Sequence, residues 1–286
     1  MAMAARAEIE ALLRARKLDT TLTSTHPFET SGAAAGDPAD QQYVVATGIA
    51  ALDARLGGGF ARGQLSEVVG PRSSGRTAVV LSALAGAASR GELVAFIDTF
   101  DTLDPSSARA CGVDLTRLLW VRGRSVDRDR PRSEVRSSKS EVRSPTSVRS
   151  PRLTPDIGHR TSDDICAQSI DRALKACNLI LQAGGFDLVV LDLADAPPLA
   201  IRRLPFTTWF RLQRPIEGSS TACVILASEP VARSAGGVTV ALQRVSHAPP
   251  ATRSWGSLFT GFEVEARLGR ARGVAEACTF ECRAKP

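Results

Sequence analysis

The chain lacks the apolar segments that would direct it to a membrane or out of the cell. No run approaches the roughly 18 uninterrupted apolar residues that a membrane-spanning helix needs. Residues 1–18 mix acidic and basic side chains and contain no apolar stretch of the kind that secretion signals carry. These absences favour a cytoplasmic protein with no membrane partner.

Metal-binding and disulfide patterns are missing as well. The six cysteines include no Cys-x-x-Cys pair, and the three histidines lie far apart in the sequence. Scattered cysteines of this kind are typical of reduced and mostly buried thiols, so no metal site is predicted. Cys278 and Cys282 are four residues apart, which would place them on one face of a strand.

The positive charge of the chain is confined to one segment. The net charge is +6, and between Arg122 and Arg160 eleven Arg or Lys residues oppose five Asp or Glu residues. The surplus of six in this segment equals the net charge of the whole chain, so the other residues balance. Residues 124–158 repeat the pattern Ser-Glu-Val-Arg-Ser and contain prolines that would interrupt a helix. This composition predicts a disordered, basic, Ser/Arg-rich insertion.

Two interpretations of the insertion stay open. It is either a solvated expansion with no binding role or a segment that holds DNA or RNA phosphates nonspecifically. Under the second interpretation, DNA contacts would come from the arginines of the repeats, Arg136, Arg143 and Arg149.

The remaining sequence predicts three regions. Residues 1–18 would form an amphipathic helix, residues 19–42 a flexible linker, and residues 43–286 an α/β core that the insertion interrupts. Within the core, short apolar runs alternate with helical segments. This alternation indicates a mostly parallel central sheet flanked by helices, and the final stretch predicts a C-terminal β-hairpin.

One stretch of the core, GPRSSGRT at residues 70–77, nearly matches the phosphate-binding loop G-x-x-x-x-G-K-[ST]. In such a loop, backbone N–H groups surround the phosphates, the lysine reaches the β- and γ-phosphates, and the Ser or Thr hydroxyl binds Mg²⁺. Arg76 replaces the lysine, and its planar guanidinium keeps the charge without being a compact point charge. We therefore expect weakened phosphate binding and no geometry for phosphoryl transfer. The candidate residues are Gly70, Ser73, Ser74, Gly75, Arg76 and Thr77.

An apolar run that ends in an acid, LVVLD at residues 188–192, supplies a candidate Mg²⁺ ligand. Asp192 would hold Mg²⁺ through water, together with the hydroxyl of Thr77. Apolar strands ending in Asp are common, so this pattern alone is a weak indication of a Mg²⁺ site. The phosphate loop upstream makes the indication stronger. The expected cofactor is weakly bound ATP with Mg²⁺, or none.

The stretch from Thr47 to Val121 resembles the ATPase core of the bacterial RecA recombinase family. The run TGIAALDARLGGGFARGQLSEVVGPRSSGRT carries the resemblance into the phosphate loop, and AFIDTFDTLDPSSARACGVDLTRLLWVR continues it through a strand, a helix and a strand. The resemblance implies a RecA-like P-loop core on both sides of the insertion, with a much weaker match in the second half.

The same resemblance marks four departures at the nucleotide site. Besides Arg76, Phe100 stands where the family has the glutamate that polarises the attacking water, and Ser107 stands where a tyrosine stacks on adenine. Glu229 falls at the nucleotide-sensing glutamine, whereas Asp104, which would contact the base, is retained. The resemblance therefore implies a core kept for architecture rather than for hydrolysis.

Two binding regions are also implied by the resemblance. The run PVARSAGG corresponds to the family's second DNA-binding loop, with Arg233 as its one basic residue. Arg270 and Arg272 have the spacing of two lysines that the family uses across its subunit interface. They fit either association with a RecA-like neighbour, another copy included, or an exposed hairpin turn with ordinary arginines.

A RecA-like core with a degenerate site, and without the recombinase's large C-terminal domain after the hairpin, resembles the ImuA family. That resemblance implies an SOS-associated protein that acts in translesion DNA synthesis. Its partners would be RecA, the Y-family polymerase homologue ImuB and an error-prone replicative-type polymerase. Two other functions stay open: a divergent DNA-dependent ATPase of recombination or repair, and a RecA-like regulator of cell division or of RecA filaments.

Overall fold

The computed structural model of the protein describes residues 43–124, 162–232, 236–245, 261–269 and 276–283. The predicted N-terminal helix and linker lie outside these residues, as does the basic insertion from residue 125 onward. Six arginines that the sequence assigns to DNA contact or to a subunit interface also lie outside them: Arg136, Arg143, Arg149, Arg233, Arg270 and Arg272. Their predicted roles stay predictions.

Strands and helices alternate along the described residues. The part before the insertion contains β1 (Val44–Val45), α1 (Ala50–Leu56), β2 (Phe60–Ala61), β3 (Leu65–Val69), α2 (Arg76–Ser89), β4 (Val94–Asp98), α3 (Pro105–Ala110), a 3-10 turn (Leu115–Arg117) and β5 (Leu118–Arg122). The part after it contains α4 (Ser162–Ala183), β6 (Leu188–Asp192), α5 (Pro198–Arg202), α6 (Thr207–Ile216), β7 (Ala222–Ala227), β8 (Gly236–Arg244), β9 (Gly261–Gly269) and β10 (Glu276–Arg283). Within the described ranges, no helix combines the length and the apolar character needed to cross a membrane.

Eight strands form one sheet in the order β10-β9-β8-β3-β7-β6-β4-β5. The six strands β8, β3, β7, β6, β4 and β5 are neighbours in this order, and each adjacent pair is parallel. The remaining strands, β9 and β10, extend the β8 side of the sheet as an antiparallel hairpin. The predicted fold class, an α/β core with a mostly parallel sheet, flanking helices and a C-terminal β-hairpin, is confirmed.

The central strands bury side chains on both faces, which explains why they are almost continuously apolar. In β4, for example, Val94 and Phe96 enter one core while Ala95 and Ile97 enter the other. Residues of α1, α2, α3 and the C-terminal hairpin pack in the first core. Residues of α4, α5 and α6 pack in the second core, on the opposite face of the sheet.

Apolar residues at helical spacing form the buried side of helix α4. Ile170, Leu174, Cys177 and Leu181 are all buried in the second core. The helix ends just before Gly184, whose φ of 67° is the left-handed conformation expected of a glycine cap. Helical period and terminator were therefore both visible in the sequence.

Two helices between β6 and β7, α5 and α6, are not among the predicted elements. Four prolines interrupt this stretch, at positions 197, 198, 205 and 215. Pro198 begins α5, where a helix has no use for the missing N–H group. The inward side of α6 carries Trp209, Leu212 and Ile216, which pack in the second core.

Candidate nucleotide site

The backbone of the phosphate loop has the conformation that its motif requires. The loop leaves the central strand β3 and enters α2, a helix of 14 residues, through Gly75, whose φ is 92°. At Gly70 a side chain would collide with the carbonyl oxygen of Leu242 in β8, so only glycine fits between the strands. The loop thus joins a central strand to a helix N-terminus, the context in which phosphate-binding loops occur.

Arg76, the residue in the lysine position, is buried and hydrogen-bonded within the protein. Its side chain is buried, and Nη1 donates a hydrogen bond of 2.8 Å to the carbonyl oxygen of Ala227 at the end of β7. Burial lowers the pKa of this guanidinium, and the nearby carboxylates of Asp192 and Asp195 partly oppose that shift. The cation that should reach a γ-phosphate is thus held against the sheet.

A second arginine of the loop is also paired. Arg72 Nη2 donates a hydrogen bond of 2.9 Å to Asp195 Oδ1, three residues beyond the end of β6. Arg72 is exposed, so this ion pair closes over the loop from the solvent side. Both loop arginines therefore contact groups at the carboxyl ends of the strands.

Asp192 lies where the sequence predicts it, at the end of β6. Its Oδ1 accepts a hydrogen bond of 2.8 Å from the Ala194 N–H. Burial, aided by the like charges of Asp98 and Asp195, raises the pKa of Asp192 to about 7. A Mg²⁺ ion at this carboxyl would have to displace a proton that is partly bound at neutral pH. Among the described residues, no cluster of three or more His, Cys, Asp or Glu side chains could hold a metal ion.

The contacts of Asp98 and Phe100 stabilise the fold and do not form a catalytic site. Asp98 pairs in register with Asp192 on the neighbouring strand, and its carboxylate accepts hydrogen bonds from the Thr102 and Leu103 N–H groups, each 2.9 Å. Phe100 is 6% exposed and packs in the second core. A phenylalanine in this place cannot orient a water molecule.

The acid next to Phe100 does not substitute for the missing glutamate. Asp101 receives hydrogen bonds of 2.8 and 2.9 Å from the Arg122 guanidinium, and this contact lowers the pKa of Asp101. Arg122 in turn lies 4.6 Å from the centre of the Trp120 ring. Asp101 is therefore directed to the edge strand β5.

Asp104 and Ser107 meet each other at the start of α3. The carboxylate of Asp104 accepts hydrogen bonds from the Ser107 hydroxyl at 2.6 Å and from the N–H groups of Ser106 and Ser107. These hydrogen bonds, the Ser107 hydroxyl first among them, lower the pKa of Asp104. The structure thus gives Asp104 the role of a helix N-cap.

Glu229, the residue predicted to replace the nucleotide-sensing glutamine, is held by Arg202 at the end of α5. The guanidinium donates two hydrogen bonds to the carboxylate, of 3.1 and 2.8 Å. The contact raises the pKa of Arg202. An acid paired in this way is not placed as a sensor of a γ-phosphate.

A buried carboxylate contacts the segment after β7, and the sequence motifs did not predict this contact. Glu67, in the central strand β3, is 2% exposed. One carboxylate oxygen accepts hydrogen bonds from the Val231 and Ala232 N–H groups, and the other accepts one from the Thr239 hydroxyl at 2.8 Å. Glu67 therefore anchors the segment that leads into the predicted DNA-binding loop. In the sequence, Glu67 could have been noticed as the one acidic residue of the strand LSEVV.

Substitution of Ser74 tests whether this residue of the loop lowers the stability of the fold. The Ser74 hydroxyl is buried and has no hydrogen-bond partner among the described residues. Because an unsatisfied buried hydroxyl is unfavourable, we expect Ser74→Ala to raise the free energy of unfolding by about 1 kcal/mol. Urea unfolding measures the change. Ser107→Ala is the matched control and should lower stability, since it removes the hydrogen bond to Asp104. A loss of stability in Ser74→Ala would contradict the prediction.

Comparison with known proteins matches about a third of the chain to RecA. Residues 33–127 match the family described as the RecA N-terminal domain. This part of the chain is RecA-like. The RecA protein of Salinispora arenicola is 52% identical over 83 residues, which is 29% of this chain and 24% of that protein. The RecA protein of Acholeplasma laidlawii is 49% identical over 86 residues, which is 29% of this chain and 26% of that protein.

The match to RecA is local. It spans about a quarter of the length of these curated relatives. The matched residues include β3, the phosphate loop, β4 and β5, and therefore Arg76, Phe100 and Ser107. Three of the four departures at the nucleotide site thus lie inside the stretch that matches RecA, and Glu229 lies outside it.

Proposed function

We propose that this RecA-like protein acts by binding other proteins and does not split a nucleotide. The observation that carries the proposal is the hydrogen bond from Arg76 to the Ala227 carbonyl. This contact holds the guanidinium that stands in the lysine position of the loop. The burial of Phe100 supports it, because the position of the catalytic glutamate faces the core. The pairing of Glu229 with Arg202 supports it further.

The binding role that we propose is that of a scaffold in SOS-induced translesion DNA synthesis and damage-induced mutagenesis. The protein would dock on RecA, on an ImuB-like polymerase homologue with its error-prone replicative-type polymerase, or on both. The RecA-like core supports this proposal, because a module of the RecA type can present RecA-type surfaces to such partners. Arg270 and Arg272 would contribute to a RecA-type contact with a neighbour. Contacts with DNA would come from Arg233 and from the arginines of the insertion, in the cytoplasm.

A mutation at Thr77 tests the proposal in cells. Thr77 is exposed at the start of α2, and its hydroxyl would be the Mg²⁺ ligand of a working loop. Because valine has the same shape, Thr77→Val should remove metal binding and leave the fold intact. We expect a strain with Thr77→Val to show the same ultraviolet-induced mutation frequency as the wild type. A strain without the protein should lose that induction.

Two further measurements complete this test. Thr116→Val, an exposed threonine outside the loop, is the matched control. The purified wild-type protein should also copurify with RecA or with the polymerase homologue when ATP is absent. Loss of induced mutagenesis in Thr77→Val alone would contradict the proposal, as would the failure of both purified partners to bind.

A second candidate function, a divergent DNA-dependent ATPase, is favoured by one observation. The backbone of the phosphate loop is intact at Gly70 and Gly75, and Thr77 and Asp192 keep their positions after β3 and at the end of β6. This candidate requires that Mg²⁺–ATP binds in millimolar titrations and that single-stranded DNA stimulates turnover. The scaffold proposal expects no such turnover.

A further inference from the structure

Helix α6 presents two aromatic rings to solvent. Phe206, at its N-cap, and Phe210 are 51% and 45% exposed. Their ring centres are 4.9 Å apart and the ring planes are nearly perpendicular, at 83°. The rings are one helical turn apart and therefore form one continuous apolar spot. Exposed apolar side chains that cluster in this way mark interaction sites more often than isolated ones do.

The core does not require these two rings. The opposite side of α6 already carries Trp209, Leu212 and Ile216, each no more than 4% exposed and packed in the second core. The helix is thus anchored by one side and leaves Phe206 and Phe210 available on the other.

Arginines flank the two rings along the chain. Arg203, Arg211 and Arg214 are exposed, and none of the three forms an ion pair with another described residue. Between Leu199 and Glu217 the sequence holds four arginines and one acid, and Arg202 is the arginine already paired with Glu229. We call Arg203, Phe206, Phe210, Arg211 and Arg214 the outer face of α6. This face is apolar at its centre and positively charged around it.

We propose that the outer face of α6 docks an acidic amphipathic segment of a partner protein. Apolar side chains of that segment would cover Phe206 and Phe210, and its carboxylates would pair with the arginines, which suit bidentate contact with carboxylates. An interface built from a central aromatic pair and flanking arginines has the composition typical of binding hot spots. The inference rests on the proposed scaffold function and names the surface and the chemistry of its partner.

The geometry of the rings favours a protein partner over single-stranded nucleic acid. Bases stack on open aromatic faces. In the perpendicular pair, the edge of one ring lies against the face of the other, so only part of the aromatic surface is open for stacking. Apolar side chains of a helix can pack against edges as well as faces.

A designed peptide tests the surface on the full chain. The probe is a fluorescein-labelled helical peptide with Leu on one face and Glu on the flanking positions, and binding is followed by fluorescence anisotropy. A scrambled peptide of equal composition and charge controls for nonspecific attraction. We expect Phe206→Ser/Phe210→Ser and Arg211→Glu/Arg214→Glu each to weaken binding at least about tenfold. Tyr43→Ser and Arg109→Glu are the matched controls and should bind as the wild type does; both residues are exposed and lie outside α6.

Each outcome decides the inference. Equal binding of both peptides, or equal binding by wild type and both double variants, would overturn it. Binding of labelled oligo(dT) that the phenylalanine variant weakens, without peptide binding, would assign the face to nucleic acid instead. The thermal unfolding midpoints of the double variants should match that of the wild type, since all four side chains are exposed.

The same variants separate this inference from the proposed function. Purified RecA and the polymerase homologue are tested against the wild type and the two double variants. Binding by the wild type that survives in both variants would refute the surface and leave the scaffold role standing. Binding of the peptide by the wild type, with no binding of either protein, would refute the scaffold role and leave the surface standing.

Discussion

Asp192→Asn should raise the free energy of unfolding by about 2–4 kcal/mol at pH 8, and by little at pH 4. The pKa of Asp192 is raised to about 7, chiefly by burial, from an ordinary value of 3.8. In the folded protein this carboxyl therefore keeps its proton over a range in which the unfolded chain has released it. The stabilisation from the bound proton is complete below about pH 4 and is lost as the pH rises through 7.

Asparagine removes the cost of ionisation without removing the local contact. Its side-chain oxygen can still accept the hydrogen bond from the Ala194 N–H. The difference between wild type and variant should therefore grow with pH between about 4 and 7 and then level off.

Urea unfolding at several pH values measures this difference. Asp171→Asn is the matched control, because Asp171 is an exposed residue paired with Lys175 and should contribute less than about 1 kcal/mol. A difference between Asp192→Asn and wild type that does not depend on pH would contradict the raised pKa. Millimolar Mg²⁺–ATP should leave the wild-type curve unchanged under the scaffold proposal and shift it under the ATPase alternative.

Glu67→Ala is expected to lower the free energy of unfolding by about 3–5 kcal/mol. The carboxylate is buried in the central strand and accepts hydrogen bonds from Val231, Ala232 and Thr239. Alanine would leave two backbone N–H groups and one hydroxyl without their acceptor and would open a cavity beside β8.

Denaturant unfolding and limited proteolysis together check the Glu67 prediction. Cleavage after β7 should become faster in Glu67→Ala, because the segment at Val231 and Ala232 loses its anchor. Glu229→Ala is the matched control, since its partly exposed ion pair with Arg202 should contribute about 1 kcal/mol or less. Equal stability of the two variants would show that Glu67 does not hold the loop.

The sheet was predictable because its signals are local. Short apolar runs such as those at Val94–Asp98 and Leu188–Asp192 form strands at those residues. The phosphate loop was also predictable, since a short motif fixes glycine positions between a strand and a helix. Helices α5 and α6 were not, because prolines interrupt the period by which a helix is detected.

The contacts of the site were beyond prediction because they join distant parts of the chain. The carboxylate of Glu67 meets the Val231 N–H, and Arg76 meets the Ala227 carbonyl, more than 150 residues away. A sequence motif states that Arg76 replaces lysine, but it does not state what the guanidinium contacts. The resemblance to the RecA family likewise implied that Phe100 replaces a catalytic glutamate, but only the fold shows that Phe100 packs in the second core.

The order of the strands has a consequence for how the chain folds during synthesis. The strand that carries the phosphate loop, β3, has β7 and β8 as its two neighbours, and these begin only at Ala222 and Gly236. Neither neighbour belongs to the stretch that matches RecA. The loop therefore remains without a sheet while the ribosome makes most of the chain, and a fragment ending near residue 127 should not fold alone. The stretch that matches RecA therefore completes its sheet only when strands outside that stretch have been synthesised.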